Sequence, residues 1–160
     1  GREVRDGKEY GEIYDHHAVC YEWATGVKCY AYTRQMKGCK NNTEDYIQGT
    51  KGTALVLKHE ITPNGGEPWN YDGDKPSMYQ QEHDELFQGI RSGNHLNNGQ
   101  YMSYSTMLAI MGRMACYTGQ EVTWEQAINS QVDLSPAKYE WGPNPVRDVA
   151  IPSVNTELYI

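Results

Sequence analysis

The first half of the chain is marked by short runs of alternating polar and apolar residues. Residues 17–34 alternate around Thr25-Gly26, which predicts two strands joined by a two-residue hairpin turn. Residues 44–60 contain two further β-rich runs around Thr50-Lys51-Gly52, which predict a second hairpin. Pro, Gly, Asn and Asp dominate residues 62–77, and this composition is typical of a loop.

The second half has helical periodicity. A Ser-x-x-Gln capping pattern at Ser77 is followed by apolar residues at helical spacing, and Gly93 predicts the end of this helix. A second helix is predicted over about residues 101–117, with Gly119 after it. A Thr-x-x-Gln capping pattern at Thr123 predicts the start of a third, short helix.

Four strands followed by two or three helices predict an α+β fold, in which an open-faced, mainly antiparallel sheet has the helices packed on one face. The length of 160 residues suits a single domain over residues 1–160. Residues 1–12 show no periodicity and are interpreted as a lead-in from an upstream segment. Residues 135–160 are rich in Pro and predict an extended C-terminal tail.

Pairing Ala24 with Val27 in the first hairpin would give one face of small residues and one aromatic face. In that register His17 lies opposite Arg34, at the open end of the aromatic face. We predict that these two residues contact sugar hydroxyls or a carboxylate of a substrate, with a purely structural role as the alternative. A large exposed aromatic surface usually marks a contact region, so an oligomer interface is predicted from its four aromatic residues. They are Tyr21, Trp23, Tyr30 and Tyr32.

Composition excludes several classes of protein. The net charge is −7, and the 14 Lys and Arg residues are scattered, which argues against binding to nucleic acid. No apolar run approaches the ~20 residues needed to span a membrane, and no signal peptide is recognisable. The four cysteines form no CxxC pair, so we expect small buried hydrophobic residues rather than a disulfide framework.

The sequence predicts no catalytic, cofactor or metal site within these residues. A nicotinamide dinucleotide site needs a GxGxxG turn between a strand and a helix, and the Gly49–Gly52 cluster instead joins two strand-like runs. His16 and His17 are adjacent in a strand and point to opposite faces, which disfavours a shared metal ion. Nothing pairs a nucleophile with a general base.

A family resemblance is carried mainly by residues 101–142, YMSYSTMLAIMGRMACYTGQEVTWEQAINSQVDLSPAKYEWG. This string resembles the C-terminal domain of the glucose–fructose oxidoreductase/inositol dehydrogenase family. The stretches IYDHHAVCYEWATGVKCYAYTRQ, GTKGTALVL and EHDELFQGIRSG resemble its strand pair, its next hairpin and an earlier helix. The similarity covers nearly all of residues 12–145.

The resemblance implies the C-terminal domain of an NAD(P)-dependent sugar or polyol dehydrogenase. Such a domain contributes substrate contacts and homo-oligomerisation through the sheet, while NAD or NADP binds a separate N-terminal Rossmann domain that this chain lacks. The family's Glu-Lys-Pro segment, and the Asp and His that follow it, cannot be placed here, so the chain alone is expected to be inactive.

Two further expectations concern location and the main alternative. The tail LSPAKYEWGPNPV resembles an exported subgroup, which implies a bacterial periplasmic or secreted protein, and otherwise a cytoplasmic one. The alternative function is a stand-alone, non-catalytic module that binds carbohydrate or another ligand on an open-faced sheet.

Overall fold

The computed structural model describes residues 1–143, 145–156 and 159. Contacts within the chain define two compact units. Unit 1 combines Gly1–Lys37 with Asn98–Ile160, and unit 2 is Gly38–Asn97. The predicted α+β class is confirmed, since the described residues form antiparallel strands and three α-helices. The strands form two open sheets, of two and four strands, where the sequence predicts one.

The elements follow the chain from a 3₁₀ turn to a short third helix. They are the 3₁₀ turn Lys8–Tyr10, β1 His16–Glu22, β2 Lys28–Arg34, β3 Tyr46–Gly49, β4 Gly52–Leu55, β5 Glu60–Pro63, β6 Trp69–Asn70, α1 Met78–Ser92, α2 Gly99–Thr118 and α3 Trp124–Ile128.

The first hairpin, β1–β2, forms as predicted, but its register differs by one residue. His16, and not His17, pairs with Arg34. The loop holds three residues, because the Val27 carbonyl accepts a hydrogen bond from the Trp23 N–H at 3.0 Å. Gly26, the last loop residue, has a left-handed φ of 81°, as a three-residue hairpin loop requires. This extra loop residue is why the predicted two-residue turn was wrong.

The corrected register divides the predicted aromatic stripe between two faces. Tyr21 and Trp23 share a face with His17, and the Tyr21 hydroxyl donates to the carbonyl of Leu108 in α2 at 3.0 Å. Tyr30 and Tyr32 lie on the opposite face and are exposed. A one-residue shift in one strand exchanges its inward and outward side chains. The prediction of a single aromatic face was therefore wrong, while the interface role of the four residues stays a prediction.

Helix α2 forms the centre of unit 1 and packs against β1. One face carries a Met-rich core cluster with α3, as its periodicity predicts, and another carries a tyrosine-rich cluster. Gly112 allows the close approach of β1, because a Cβ atom there would collide with the Tyr21 hydroxyl. The Met-rich cluster contains Met107, Met111, Met114, Ala115, Val122 and Ala127.

The helix ends agree with the sequence, but only one of the two capping boxes forms. Helices α1 and α2 end immediately before Gly93 and Gly119, as predicted. In α3 the Thr123 hydroxyl accepts the Gln126 N–H at 3.2 Å, and the Gln126 side chain accepts the Thr123 N–H at 2.8 Å. The Ser77 side chain caps nothing in α1, so that predicted capping box was wrong.

Unit 2 is an antiparallel meander in the order β3-β4-β5-β6, accompanied by α1. Strands β5 and β6 reach into residues 62–77, which were predicted to be a loop. Ile61 pairs with Trp69, so two strand-favouring side chains form a short ladder that the surrounding Pro and Gly residues mask in the sequence. Helix α1 contacts none of these strands, and Gly89 alone is buried among the described residues of unit 2.

The remaining parts of the chain add three findings. The described part of the tail 135–160, which omits residues 144, 157, 158 and 160, contains no helix or strand. Ala150 and Tyr159 of this tail are buried in the core of unit 1. All four cysteines are free, but Cys20 and Cys29 are exposed, so the expectation of burial was wrong for them. Within the described ranges, no helix is both long and apolar enough to cross a bilayer.

Candidate functional site

The two predicted substrate contacts, His17 and Arg34, do not come together. His17 pairs with Thr33, and its Nδ1 lies 3.3 Å from the Thr33 hydroxyl. Arg34 is exposed on the opposite face of the hairpin, across from His16. The predicted pairing of His17 with Arg34 at one end of an aromatic surface was therefore wrong, again because the loop contains one more residue.

His17 instead adjoins a cluster of tyrosines around α2. The ring centroids of Tyr14 and Tyr117 are stacked 4.1 Å apart, and the His17 ring is nearly parallel to Tyr117 at 6.2 Å. The Tyr14 N–H donates to the Tyr117 hydroxyl at 2.9 Å, and the Tyr14 hydroxyl donates to the Ala150 carbonyl at 2.8 Å. These bonds join segments that are far apart in the sequence.

An ion pair between Arg113 and Glu12 lies at the edge of the tyrosine cluster. The Arg113 guanidinium lies 4.2 Å from the ring centroid of Tyr117 and 5.4 Å from that of Tyr159. Its Nη2 is 3.7 Å from a carboxylate oxygen of Glu12, and the other oxygen of Glu12 accepts the Tyr159 hydroxyl at 3.0 Å. Arg113 thus combines a cation–π contact with an ion pair.

The surroundings of the cluster keep the phenols of Tyr14 and Tyr159 protonated and the imidazole of His17 neutral. Burial, and then the hydrogen bond to Glu12, raises the pKa of Tyr159 to about 12. Burial also raises the pKa of Tyr14. The pKa of His17 is lowered by burial first and then by nearby positive charges, including that of Arg113. At neutral pH Tyr14 and Tyr159 donate hydrogen bonds, and the uncharged His17 ring can accept one.

Asp15 anchors the polypeptide that precedes β1. One carboxylate oxygen accepts the backbone N–H groups of Glu3, Val4 and Arg5 at 2.8, 2.7 and 3.0 Å, and the other lies 2.7 Å from His16 Nδ1. Burial alone would raise the pKa of Asp15, but these hydrogen bonds outweigh it and hold the pKa well below its usual value. Asp15 is therefore a charged anchor for residues 3–5.

Unit 2 carries an apolar concavity of its own. It has a volume of about 430 Å³ and lies on the strands β4–β6. The ring of Tyr71 is 6.4 Å from that of Trp69 and 6.2 Å from that of His59. The sequence placed these aromatics in a connecting loop, whereas Trp69 is a residue of β6. The lining residues are Ala54, Leu55, Val56, His59, Glu60, Ile61, Trp69 and Tyr71.

Sequence reasoning missed the tyrosine cluster. Tyr14 and Tyr117 are 103 positions apart in the chain, and no local motif connects them. The content of 13 tyrosines against a single phenylalanine does not distinguish them, because most of the tyrosines are exposed. No group of three His, Cys, Asp or Glu residues in the described part of the chain is arranged to hold a metal ion.

Comparison with known proteins provides no relative for this chain. No protein-family model matches it, and neither a curated protein nor a solved structure does.

Proposed function

We propose that this chain is the C-terminal, substrate-facing and oligomerising domain of an NAD(P)-dependent sugar or polyol dehydrogenase of the glucose–fructose oxidoreductase/inositol dehydrogenase type. The nicotinamide cofactor is bound by a Rossmann domain outside these residues. The observation that carries the proposal is the continuous resemblance over residues 101–142, in which a Met-rich helix, a Gly stop and a capped short helix follow in order.

The exposed surface of the chain supports a role within a larger assembly. Large hydrophobic side chains of α1 remain in water. Exposed apolar side chains grouped on one helix are typical of a region that another protein surface covers. The α1 side chains are Met78, Tyr79, Leu86, Phe87 and Ile90.

Within this proposal the two faces of the β1–β2 hairpin have different roles. Tyr30 and Tyr32 are 60% and 72% exposed and form the part of the predicted interface that is open to a second copy. Tyr21 packs on α2 instead, so it supports the fold of unit 1. His17 is half-buried and uncharged, which suits a hydrogen bond to a sugar hydroxyl, and Arg34 acts separately from the opposite face.

The first experiment examines the gene. The coding sequence upstream of Gly1 should encode a strand, a GxGxxG turn and a helix. The product of the joined sequence should reduce NAD or NADP with a hexose, pentose or cyclitol from a panel. The 160-residue chain serves as the control and should neither turn over substrate nor change NADH fluorescence. An upstream sequence with no dinucleotide motif, or micromolar NADH binding by the chain alone, would contradict the proposal.

A second experiment addresses oligomerisation. Tyr30→Glu places a charge on the open face and should convert the oligomer to a monomer in sedimentation velocity. Val27→Glu places a charge at an equally exposed position on the opposite face of the hairpin, so it is the matched control and should change the sedimentation coefficient less. An unchanged oligomer in Tyr30→Glu would exclude this face as the interface.

A stand-alone carbohydrate-binding module is the second candidate function, and the Trp69–Tyr71 pair favours it. Aromatic side chains on an open sheet offer flat apolar surfaces for a ligand. Trp69→Ala should then abolish binding to a sugar panel in NMR titrations, while Trp141→Ala, which alters a fully exposed residue of the tail, should not. Absence of sugar binding by the unaltered chain would exclude this candidate.

A further inference from the structure

A groove separate from the tyrosine cluster lies between β1 and the helices α2 and α3 of unit 1. Its volume is about 1070 Å³, at the upper end of the range for small-molecule sites. One wall is β1 with the start of the loop that follows it. The other wall is the face of α2 that packs on β1, together with the segment that leads into α3. The lining residues that matter for recognition are Tyr21, Trp23, Glu121, Trp124 and Glu125.

The charge of this groove has one sign. The carboxylates on its helical side belong to Glu121 and Glu125, and no Lys, Arg or His is among its lining residues. Glu22 also borders the groove, but its carboxylate lies on the opposite face of the hairpin, 3.0 Å from Lys28 Nζ. Glu121 and Glu125 are exposed, and among the described residues neither forms a salt bridge. The net charge of −7 adds to this local potential, which attracts cations and repels anions.

Aromatic rings supply the apolar part of the groove. The Tyr21 and Trp23 ring centroids are 6.5 Å apart on the same face of β1. Trp124 opens α3 and is held edge-on against Tyr104 at 5.3 Å, so its ring is fixed by packing. The electron-rich face of Trp is the strongest cation–π acceptor among the side chains, and aromatic rings beside carboxylates are the usual receptor for ammonium groups.

We propose that this groove binds a small organic cation, a primary or quaternary ammonium that carries an apolar body. The aromatic rings of Tyr21, Trp23 and Trp124 contact the apolar groups around the nitrogen. Glu121 and Glu125 supply the compensating charge. Phosphorylated or carboxylated ligands are excluded by the same carboxylates. This assignment goes beyond the dehydrogenase proposal and does not depend on it.

Choline and its uncharged isostere 3,3-dimethyl-1-butanol provide a direct test. The two molecules share a shape and differ in the charge of one central atom, so their affinities separate cation recognition from shape. In NMR titrations of the full chain, choline should bind at least about tenfold more tightly, with the largest shifts at the Trp23 and Trp124 indoles. Added salt should weaken choline binding and leave the isostere unaffected. Equal affinities, no binding of choline, or shifts located elsewhere would overturn the proposal.

Paired variants distinguish the groove from the overall negative charge. The double variant Glu121→Gln/Glu125→Gln removes two exposed carboxylates and should weaken choline binding about tenfold. The control Glu67→Gln/Asp72→Asn removes two exposed carboxylates of unit 2 and should change the affinity less than about twofold. All four positions are exposed, so the fold should survive, as the NMR spectra will verify. Equal losses in both variants, or no loss in the groove variant, would contradict the proposal.

Discussion

The two units of this chain have similar proportions of regular structure but differ in how much of it they bury. Every buried hydrophobic residue described belongs to unit 1, where α2 collects side chains from β1, α3 and the C-terminal tail. Unit 2 has four strands and a helix of 15 residues, but Gly89 alone is buried among its described residues. Secondary structure and a hydrophobic core are thus separable properties, even within one polypeptide.

The difference follows from the distance between interacting residues in the sequence. Unit 1 brings together residues from both ends of the chain, such as Tyr14 and Tyr117, and their burial offsets the entropy lost in closing a long loop. Unit 2 is built from hairpins between neighbouring strands, which form without covering either face. We infer that unit 1 holds most of the stability and that unit 2 depends on another surface to bury its apolar side chains.

The largest expected effect compares one aromatic residue from each unit. Tyr117 is 2% exposed, stacks on Tyr14 and accepts its N–H, so Tyr117→Ala should reduce the free energy of unfolding by about 3–5 kcal/mol. Phe87 in α1 is 49% exposed, and Phe87→Ala should cost less than about 1 kcal/mol. Urea unfolding followed by circular dichroism measures both. Similar losses would show that unit 2 also has a core.

The next largest effect concerns the contact between α2 and β1. Alanine normally stabilises a helix interior relative to glycine by about 0.5–1 kcal/mol. Gly112→Ala should instead destabilise unit 1 by about 1–3 kcal/mol, because its new methyl group meets the Tyr21 hydroxyl. Tyr21→Phe in the same chain removes the obstructing oxygen and should recover part of the loss. A neutral or stabilising Gly112→Ala would mean that β1 does not pack closely on α2.

A third prediction is that unit 1 contains an acid-sensitive anchor. The pKa of Asp15 is lowered in the folded state, so its hydrogen bonds stabilise the fold fully above the unfolded-state pKa of about 3.9. That contribution is lost as the pH falls from about 4 through the folded-state value. The urea midpoint should decrease more between about pH 5 and pH 3 in the unaltered protein than in Asp15→Asn. Identical slopes would show that Asp15 is not anchored.

The smallest expected effect compares the two capping patterns. Thr123→Ala removes a formed capping box and should cost about 1 kcal/mol of stability. Ser77→Ala removes a hydroxyl that caps nothing in α1 and should cost less than about 0.3 kcal/mol. Thermal unfolding of the two variants provides the measurement. A larger loss in Ser77→Ala would reverse the assignment of the caps.

The sequence predicted the structural features that depend on interactions between residues close together in the chain. The hairpins, the ends of α1 and α2 and the cap at Thr123 all follow from local spacing and turn chemistry. The register of β1–β2 could not be predicted in this way, because Thr25-Gly26 fits both a two-residue turn and the last two positions of a three-residue loop. Because the loop has one more residue than predicted, His17 pairs with Thr33, and Arg34 pairs with His16.

The candidate sites were less predictable than the fold. The tyrosine cluster depends on contacts between distant segments, which no local pattern encodes. The groove beside α2 depends on which face of β1 meets the helices, since Tyr21 and Trp23 enter it only from that face. The pattern of the strand alone does not tell which of its two faces packs on a helix.

Native-state hydrogen exchange tests the contrast between the units most directly. Amide protons in the second half of α2, which faces both core clusters, should exchange at rates set by global unfolding. Amide protons of α1, whose apolar face is open to water, should exchange orders of magnitude faster in the same sample. Comparable protection of the two helices in the isolated chain would contradict the conclusion that unit 1 alone has a core.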